Sequence, residues 1–414
     1  MRISCKARVG FSIDSIRQSR SNNPVAFCFR NFKATGLSLL RGKAYRVWAL
    51  SLFATFLLPL PSFGGCLQSF LGDPEFEVAQ VHKGNRFPNI VVAKDGAVLA
   101  FWNGVVVKRS TDGGKTWGET IQVGKGFMGG GVTINEANGD IFAFVEAHHP
   151  PSDLKVYRSQ DSGLSWEPFD AKIHPDKRGH IPSMHMNEHG LTLLRGKHAG
   201  RLIRPSRHYA GRNHNSKWPQ HYTNAIYSDD GGKNWQTSEP FPANGTGEAT
   251  IVELSDGTLY YNSRRHYAEP GANPRNRWTA KSYDGGETWQ DLQICQALPD
   301  GPQNQNYGLM GGLDRLPVDD KDILIFSNVE SESGRKQGTV WASFDGGRTW
   351  PVKRRVDDGK FAYSSLAVGR HGTPSEGTIY LHYESAGGSS VARFNLAWLL
   401  EGETTGNGSI PELQ

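Results

Sequence analysis

The stretch that decides the fold is SDDGGKNW at residues 228–235, because it recurs. STDGGKTW stands at 110–117, SQDSGLSW at 159–166, SYDGGETW at 282–289 and SFDGGRTW at 343–350, and all five fit Ser-x-Asp-x-Gly-x-x-Trp. Their first residues lie 49, 69, 54 and 61 positions apart, a mean of about 58. Self-similarity at such a period marks a repeat architecture. The residue types suit a hairpin turn. Asp and Ser side chains accept hydrogen bonds from turn N–H groups, Gly takes a positive φ without steric cost, and Trp can pack back over the strands.

Outward from these turns, strand-like runs precede the copies, as at 105–107, 155–157 and 225–227. A second hairpin usually lies upstream: 90–93 and 97–102 flank Lys94-Asp95-Gly96, and 250–254 and 258–261 flank Ser255-Asp256-Gly257. Two hairpins per repeat make a four-stranded propeller blade. Residues 66–414 hold about six such periods, so one blade must lack the octapeptide. We assign it to 377–384 and 390–399, closed by the first strand near 75–82. The chain is therefore read as all-β, a six-bladed β-propeller over residues 66–414.

Composition agrees. Of 414 residues, 37% are hydrophobic and 11% aromatic, which excludes disorder, and the 49 glycines follow no collagen period. The net charge of +5 is misleading until it is divided. Residues 1–65 hold ten Lys/Arg and one acid, Asp14, a balance of +9, while the rest holds 36 basic and 40 acidic residues, a balance of −4. No basic surface for nucleic acid is expected on the body.

Residues 1–65 read as a leader. Arg41, Lys43 and Arg46 precede the apolar run 47–60, and Gly64 and Gly65 follow. The expectation is an exported protein, whether secreted, periplasmic or surface-anchored. Residues 63–66 loosely resemble a lipoprotein cleavage box, which makes Cys66 a candidate lipid site and the only route to a membrane; simple cleavage nearby is the alternative. With only Cys66 and Cys295 remaining after processing, no disulfide framework is expected, and Cys295 is read as a buried apolar residue.

The octapeptides resemble the Asp-boxes of the sialidase superfamily, whose propellers have six blades. The boxes themselves are turn structure. The resemblance implies chemistry on the opposite face, through an arginine triad, a Tyr–Glu pair and an acid. Asn85-Arg86-Phe87-Pro88 matches the stretch with the first arginine, Asn262-Ser263-Arg264 the second, and Arg335 stands eight residues before the last box, as the third does. Three convergent guanidiniums would bind a carboxylate by charge-assisted, partly bidentate bonds. Tyr363-Ser364-Ser365-Leu366 matches the nucleophile motif, Glu384 would brace Arg86, and Glu248, after the third box and before a Ser-Asp-Gly-Thr hairpin, is the candidate base. A phenol suits this reaction, since a carboxylate nucleophile would be repelled by the substrate's own carboxylate.

One departure stands out. The family's acid/base Asp sits on a long loop before the first box, yet residues 103–109 contain no acid. The loop 146–153 in the second blade offers Asp153 or a histidine instead, and Asp153 is our nomination. His180, His185, His189, His198, His208, His214 and His221 show no tight metal-ligand spacing, so neither metal nor cofactor is assigned. The stretches 200–209 and 303–308 are read either as pocket lining or as inter-blade loops. The resemblance implies an exo-α-sialidase-like glycoside hydrolase acting on sialylated glycans or glycoconjugates. The alternative is a carbohydrate-binding propeller for acidic sugars without catalysis.

Overall fold

The computed structural model describes residues 67–413, apart from 128–129, 212–213, 268, 270–274, 304–307 and 319. The readings made on residues 1–66, namely the leader and Cys66, and on 304–307 lie outside the described residues. The described strands form six blades, antiparallel except where Lys172–Ile173 pairs parallel with Asn234–Thr237. Blade I comprises Pro88–Val92, Val98–Trp102, Val106–Ser110 and Ile121–Gln122. Blade II comprises Thr133–Ile134, Ile141–Glu146, Leu154–Ser159 and Glu167–Phe169. Blade III runs Leu191–Thr192, Leu202–His208, Tyr222–Ser228 and Asn234–Thr237, and blade IV runs Thr246–Glu253, Leu259–Arg265, Asn276–Ser282 and Gln290–Pro299. Blade V holds Gly312–Arg315, Leu324–Val329, Lys336–Ser343 and Val352–Lys360.

Blade VI lacks the box and closes the ring with both chain ends. Ser364–Val368, Ile379–Ser385 and Gly388–Phe394 are joined by the N-terminal strand Phe76–Lys83, which pairs antiparallel with Gly388–Phe394. The run expected to extend to residue 399 stops at Phe394. Asn395 caps a short helix, Leu396–Leu400, its side chain accepting from the Trp398 N–H.

Each box is one repeated hydrogen-bonded turn. In the third copy the Ser228 hydroxyl donates to Asp230 Oδ1 (2.8 Å) and accepts from the Gly232 N–H (2.9 Å), while Asp230 Oδ1 accepts from the Asn234 N–H (2.9 Å). The Gly at the fifth position faces the blade before it. A Cβ on Gly232 would meet the Phe142 ring at 2.8 Å, and one on Gly347 would meet Tyr260 at 2.9 Å. Both glycines also hold a positive φ, +92° and +87°. Gly114, Gly163 and Gly286 stand in the same relation to Tyr380, Leu99 and Ile203. The boxes therefore lock blades I to V each onto its predecessor.

The junction of blades V and VI, which has no box, is filled by the helix Leu396–Leu400. Leu396, Trp398 and Leu399 share a core with Val340, Ala342 and Val352, and the Arg354 guanidinium lies 4.4 Å over the Trp398 ring. Cys295, expected to be buried, is only half-buried, on the last strand of blade IV against the core of blades IV and V.

Trp350 is fully buried in that core beside Phe326, their ring centroids 6.1 Å apart. Trp350→Ala is expected to cost about 3–5 kcal/mol, read as a lowered denaturation midpoint. Trp117→Ala, on a half-buried copy, should cost clearly less.

Candidate active site

Blade topology decides which side chains can meet. The boxes join third to fourth strands, so they occupy one face; starts of first strands, ends of second strands and starts of third strands share the other. Arg86 precedes the first strand of blade I, and Glu248 lies near the start of the first strand of blade IV. Tyr363 immediately precedes the first strand of blade VI. Arg207, Arg264 and Glu384 end second strands, and Arg335 precedes a third strand. All seven belong to the face without boxes.

They converge on Tyr363. The guanidinium carbons of Arg86 and Arg335 each lie 4.9 Å from the centre of its ring, and Arg264 Nη1 donates to the Tyr363 hydroxyl at 3.4 Å. Arg264 Nη1 is also bonded to Glu248 Oε2, and Arg207 Nη1 reaches Glu248 Oε1 at 3.4 Å. Glu384 accepts from Arg86 Nε at 3.0 Å and Nη2 at 3.3 Å, and from the Phe87 N–H at 3.1 Å. This last pairing holds a backbone in which Asn85 and Phe87 both adopt positive φ, 56° and 76°. Such conformations persist only when the surroundings over-determine them.

Glu248 and Asp153 both stand apart from the Tyr363 hydroxyl. Glu248 makes no direct hydrogen bond to Tyr363; Arg264 stands between them, sharing one nitrogen with both. Asp153 is not part of the cluster. It is exposed, its carbonyl accepts from the Ala147 N–H (2.8 Å), and its carboxylate contacts neither Tyr363 nor the arginines. The same loop directs His149 inward instead. His149 packs edge-on to His185 (4.8 Å between centroids) and to Tyr209 (5.6 Å), and its Nδ1 lies 3.0 Å from the Pro150 carbonyl.

Arg207 joins the cluster although no sequence motif marks it. The stretch 200–209 is mostly the second strand of blade III, and Arg207 at its end is fully buried. Besides Glu248, it donates to Nδ1 of His221 (3.2 Å) and of His266 (2.7 Å), and it stacks 4.2 Å over Tyr209. Arginine only donates, so both rings must be neutral and carry their proton on Nε2. The histidines noted in the sequence do not act as one group. His180 and His208 stack on each other (3.9 Å) in a separate groove of about 580 Å³, which adjoins the cluster through Tyr209. His189 instead joins the central plug at 184–189.

That plug ties the blades together around Glu188. The Glu188 carboxylate accepts from Asn89 Nδ2 (2.7 Å), the Ser365 hydroxyl (2.8 Å) and the Leu366 N–H (2.9 Å), while its own N–H donates to the Ala249 carbonyl (2.9 Å). It thus links the first strands of blades I, IV and VI beneath the cluster.

The electrostatics favour an anion. Four guanidiniums, of Arg86, Arg207, Arg264 and Arg335, face two carboxylates, Glu248 and Glu384. Burial pushes the Glu248 carboxyl up, but Arg264 and Arg207 outweigh it and hold it below the ordinary carboxylate range. Glu146, under His185, is the opposite case. Burial outweighs its bonds from Ser183 and the Met184 N–H and pushes it up to about 8. Glu146 Oε2, Arg207 Nε and His221 Nε2 are buried without a hydrogen-bond partner. Such orphans cost about 1–3 kcal/mol each unless a ligand or water answers them.

The fold and this cluster define a class: a six-bladed Asp-box propeller with an arginine-rich cluster around a tyrosine on the face opposite the boxes. Residues 95–380 match the BNR repeat-like domain. The chain belongs to that family, within the sialidase/BNR-repeat superfamily. It is 33% identical to the sialidase of Micromonospora viridifaciens, over 76% of this chain and 52% of that protein. It is 26% identical to the sialidase of Bacteroides fragilis, over 73% of this chain and 60% of that protein. The chain thus spans roughly half the length of these curated relatives. Among solved structures, the Hadza microbial sialidase Hz136 superposes with a TM-score of 0.59 at 23% identity, covering 76% of this chain and 66% of that one. The intramolecular trans-sialidase from Ruminococcus gnavus superposes at 0.56 with 17% identity, covering 76% and 95%. These structural likenesses concern the fold.

Glu146 generates a pH prediction. Its folded-state pKa is raised above that of the unfolded chain, so the stability tied to its proton is present below about pH 4 and lost as pH rises toward 8. Glu146→Gln should flatten the fall in melting temperature across that interval, measured by thermal denaturation at a series of pH values.

Proposed function

We propose that this protein is an exo-α-sialidase-like glycoside hydrolase that removes terminal sialic or a related nonulosonic acid from glycoconjugates. The observation that carries the reading is the convergence of Arg86, Arg264 and Arg335 on Tyr363. Sialic acid bears a carboxylate on its anomeric carbon, so a site for it must hold an anion beside the reacting atom. The excess of guanidiniums supplies that charge, in surroundings where Tyr363, Glu248 and Arg264 are buried and water screens little.

In this reading Arg86, Arg264 and Arg335 hold the carboxylate, and Glu384 fixes the orientation of Arg86. Tyr363 attacks the anomeric carbon, and Glu248 takes the phenolic proton. Glu248 stays ionised between its two arginines, which keeps it ready to accept. In this reading the Arg264 nitrogen that it shares with Tyr363 turns to the substrate's carboxylate when that anion arrives, opening the line between phenol and carboxylate. The basic and then apolar segment at 41–60 supports an exported protein that meets glycans outside the cytoplasm. A lipid on Cys66 would be its route to a membrane surface.

The second reading, an acidic-sugar-binding propeller without turnover, is favoured by the acid-free turn of blade I, where Trp102 and Val106 are separated by three residues. Aryl sialoside hydrolysis by the purified protein separates the two. Measurable release, reduced by at least a thousandfold in Tyr363→Phe, is the expected result. Binding of sialic acid with no release from any donor supports the second reading, and no affinity for acidic sugars rejects both. Arg264→Ala should raise KM and lower kcat together, since that guanidinium contacts both the phenol and its base.

A further inference from the structure

Breaking a glycosidic bond to a sugar alcohol leaves an oxygen that departs poorly unless it is protonated, and a positioned acid supplies typically a hundredfold or more. Glu248 is engaged by Arg264 and Arg207, Glu384 by Arg86, and Asp153 lies outside the cluster. We propose that His149, on the loop between the second and third strands of blade II, protonates the departing oxygen and then activates the water that completes the reaction. This inference rests on the glycoside hydrolase reading.

Four observations carry it. His149 is half-buried, with its ring set between Phe127 (5.9 Å), His185 (4.8 Å) and Tyr209 (5.6 Å). The Pro150 carbonyl near Nδ1 can only accept, so Nδ1 carries a hydrogen in either protonation state. The exchangeable proton is thereby confined to Nε2, which has no hydrogen-bond partner among the described residues. The ring also belongs to the same aromatic wall as the nucleophile, since His185 meets Phe87 at 5.7 Å and Phe87 stacks on Tyr363 at 6.0 Å. Behind it, Glu146 Oε2 lies 4.0 Å from His185 Nδ1 with no hydrogen bond of its own, so the wall is backed by a carboxyl that can follow a charge change on the imidazoles.

The step balances. The Tyr363 oxygen bonds to the anomeric carbon as its proton passes to Glu248. The bond to the leaving oxygen breaks, its electron pair stays on that oxygen, and the proton on Nε2 transfers there. In the return step the bond to Tyr363 breaks as water bonds to the anomeric carbon and gives a proton to Nε2; the electron pair of the broken bond stays on the Tyr363 oxygen, which takes its proton back from Glu248.

Burial lowers the His149 pKa from its ordinary value, with Arg207 and His148 acting in the same direction and the Pro150 carbonyl and Glu248 opposing. The groups around it are Glu146 and His148 on its own hairpin, His185 from the plug, Arg207, Tyr209 and His221 from blade III, and Glu248 from blade IV. Activity that needs imidazolium must therefore fall as pH rises through the acid side of neutrality.

The test compares two donors for each protein: sialyllactose, whose leaving alcohol needs a proton, and a nitrophenyl sialoside, whose leaving group does not. His149→Gln is expected to lose a hundredfold or more in kcat/KM on sialyllactose and tenfold or less on the aryl donor, and to lose the fall in sialyllactose activity as pH rises toward neutrality. The ratio between donors does not depend on the folded fraction, and His149→Asn provides a second substitution of different size. Equal losses on both donors, or no loss, overturn the inference while leaving the hydrolase reading intact. A wild-type protein inactive on both donors removes the hydrolase reading, and this inference with it.

Discussion

The molecule depends on a missing methyl group. At the fifth position of each box stands a glycine whose absent Cβ is the space occupied by the preceding blade: Phe142 against Gly232, Tyr260 against Gly347, Tyr380 against Gly114. A larger residue there would press into a side chain of the preceding blade, and the positive φ would add strain. Because the Ser–Asp turn fixes that glycine between third and fourth strands, the boxes occupy one face. The other face is left to loops and strand ends, which a rigid scaffold can hold in place for function.

On that free face, order comes from charge. Buried charges survive only when paired and hydrogen-bonded. Arg207 and Arg264 pair through Glu248, and Arg86 pairs with Glu384, although these residues come from blades I, III, IV and VI. The arrangement remains incomplete, with more guanidiniums than carboxylates and several orphaned polar atoms. That excess of positive charge lies where the proposed acidic ligand would sit. Folding holds a cost that such a ligand would relieve, as expected where stability is given up for pre-organised binding.

The sequence made most of this legible because the repeat did two things. It set the blade count, and it supplied the resemblance to the Asp-box sialidases, from which Arg264 and Tyr363 were expected on one face before any coordinates. Apart from the Arg86–Glu384 pairing, which the resemblance implied, contacts between side chains distant along the chain were not legible. Arg207 reaches Glu248 across 41 residues, and no local pattern announces it. Asp153 and His149 sit four residues apart on one loop, and only the path of the backbone decides which ring or carboxylate turns inward. The plug at 184–189 was likewise hidden, because its Glu188 is set by partners near both ends of the propeller, Asn89 and Ser365. The end of blade VI was misread by a few residues, since a capping Asn395 within an apolar run is a local signal that the strand pattern masked.

Tyr363, at the meeting point of the arginines, is the proposed nucleophile. Incubation with 2,3-difluorosialic acid, followed by proteolysis and peptide mass spectrometry, tests it directly. The account predicts a covalent sugar adduct on Tyr363, formed by the wild-type protein and absent from Arg264→Ala. An adduct on another residue, or none from a protein that hydrolyses sialosides, would contradict it.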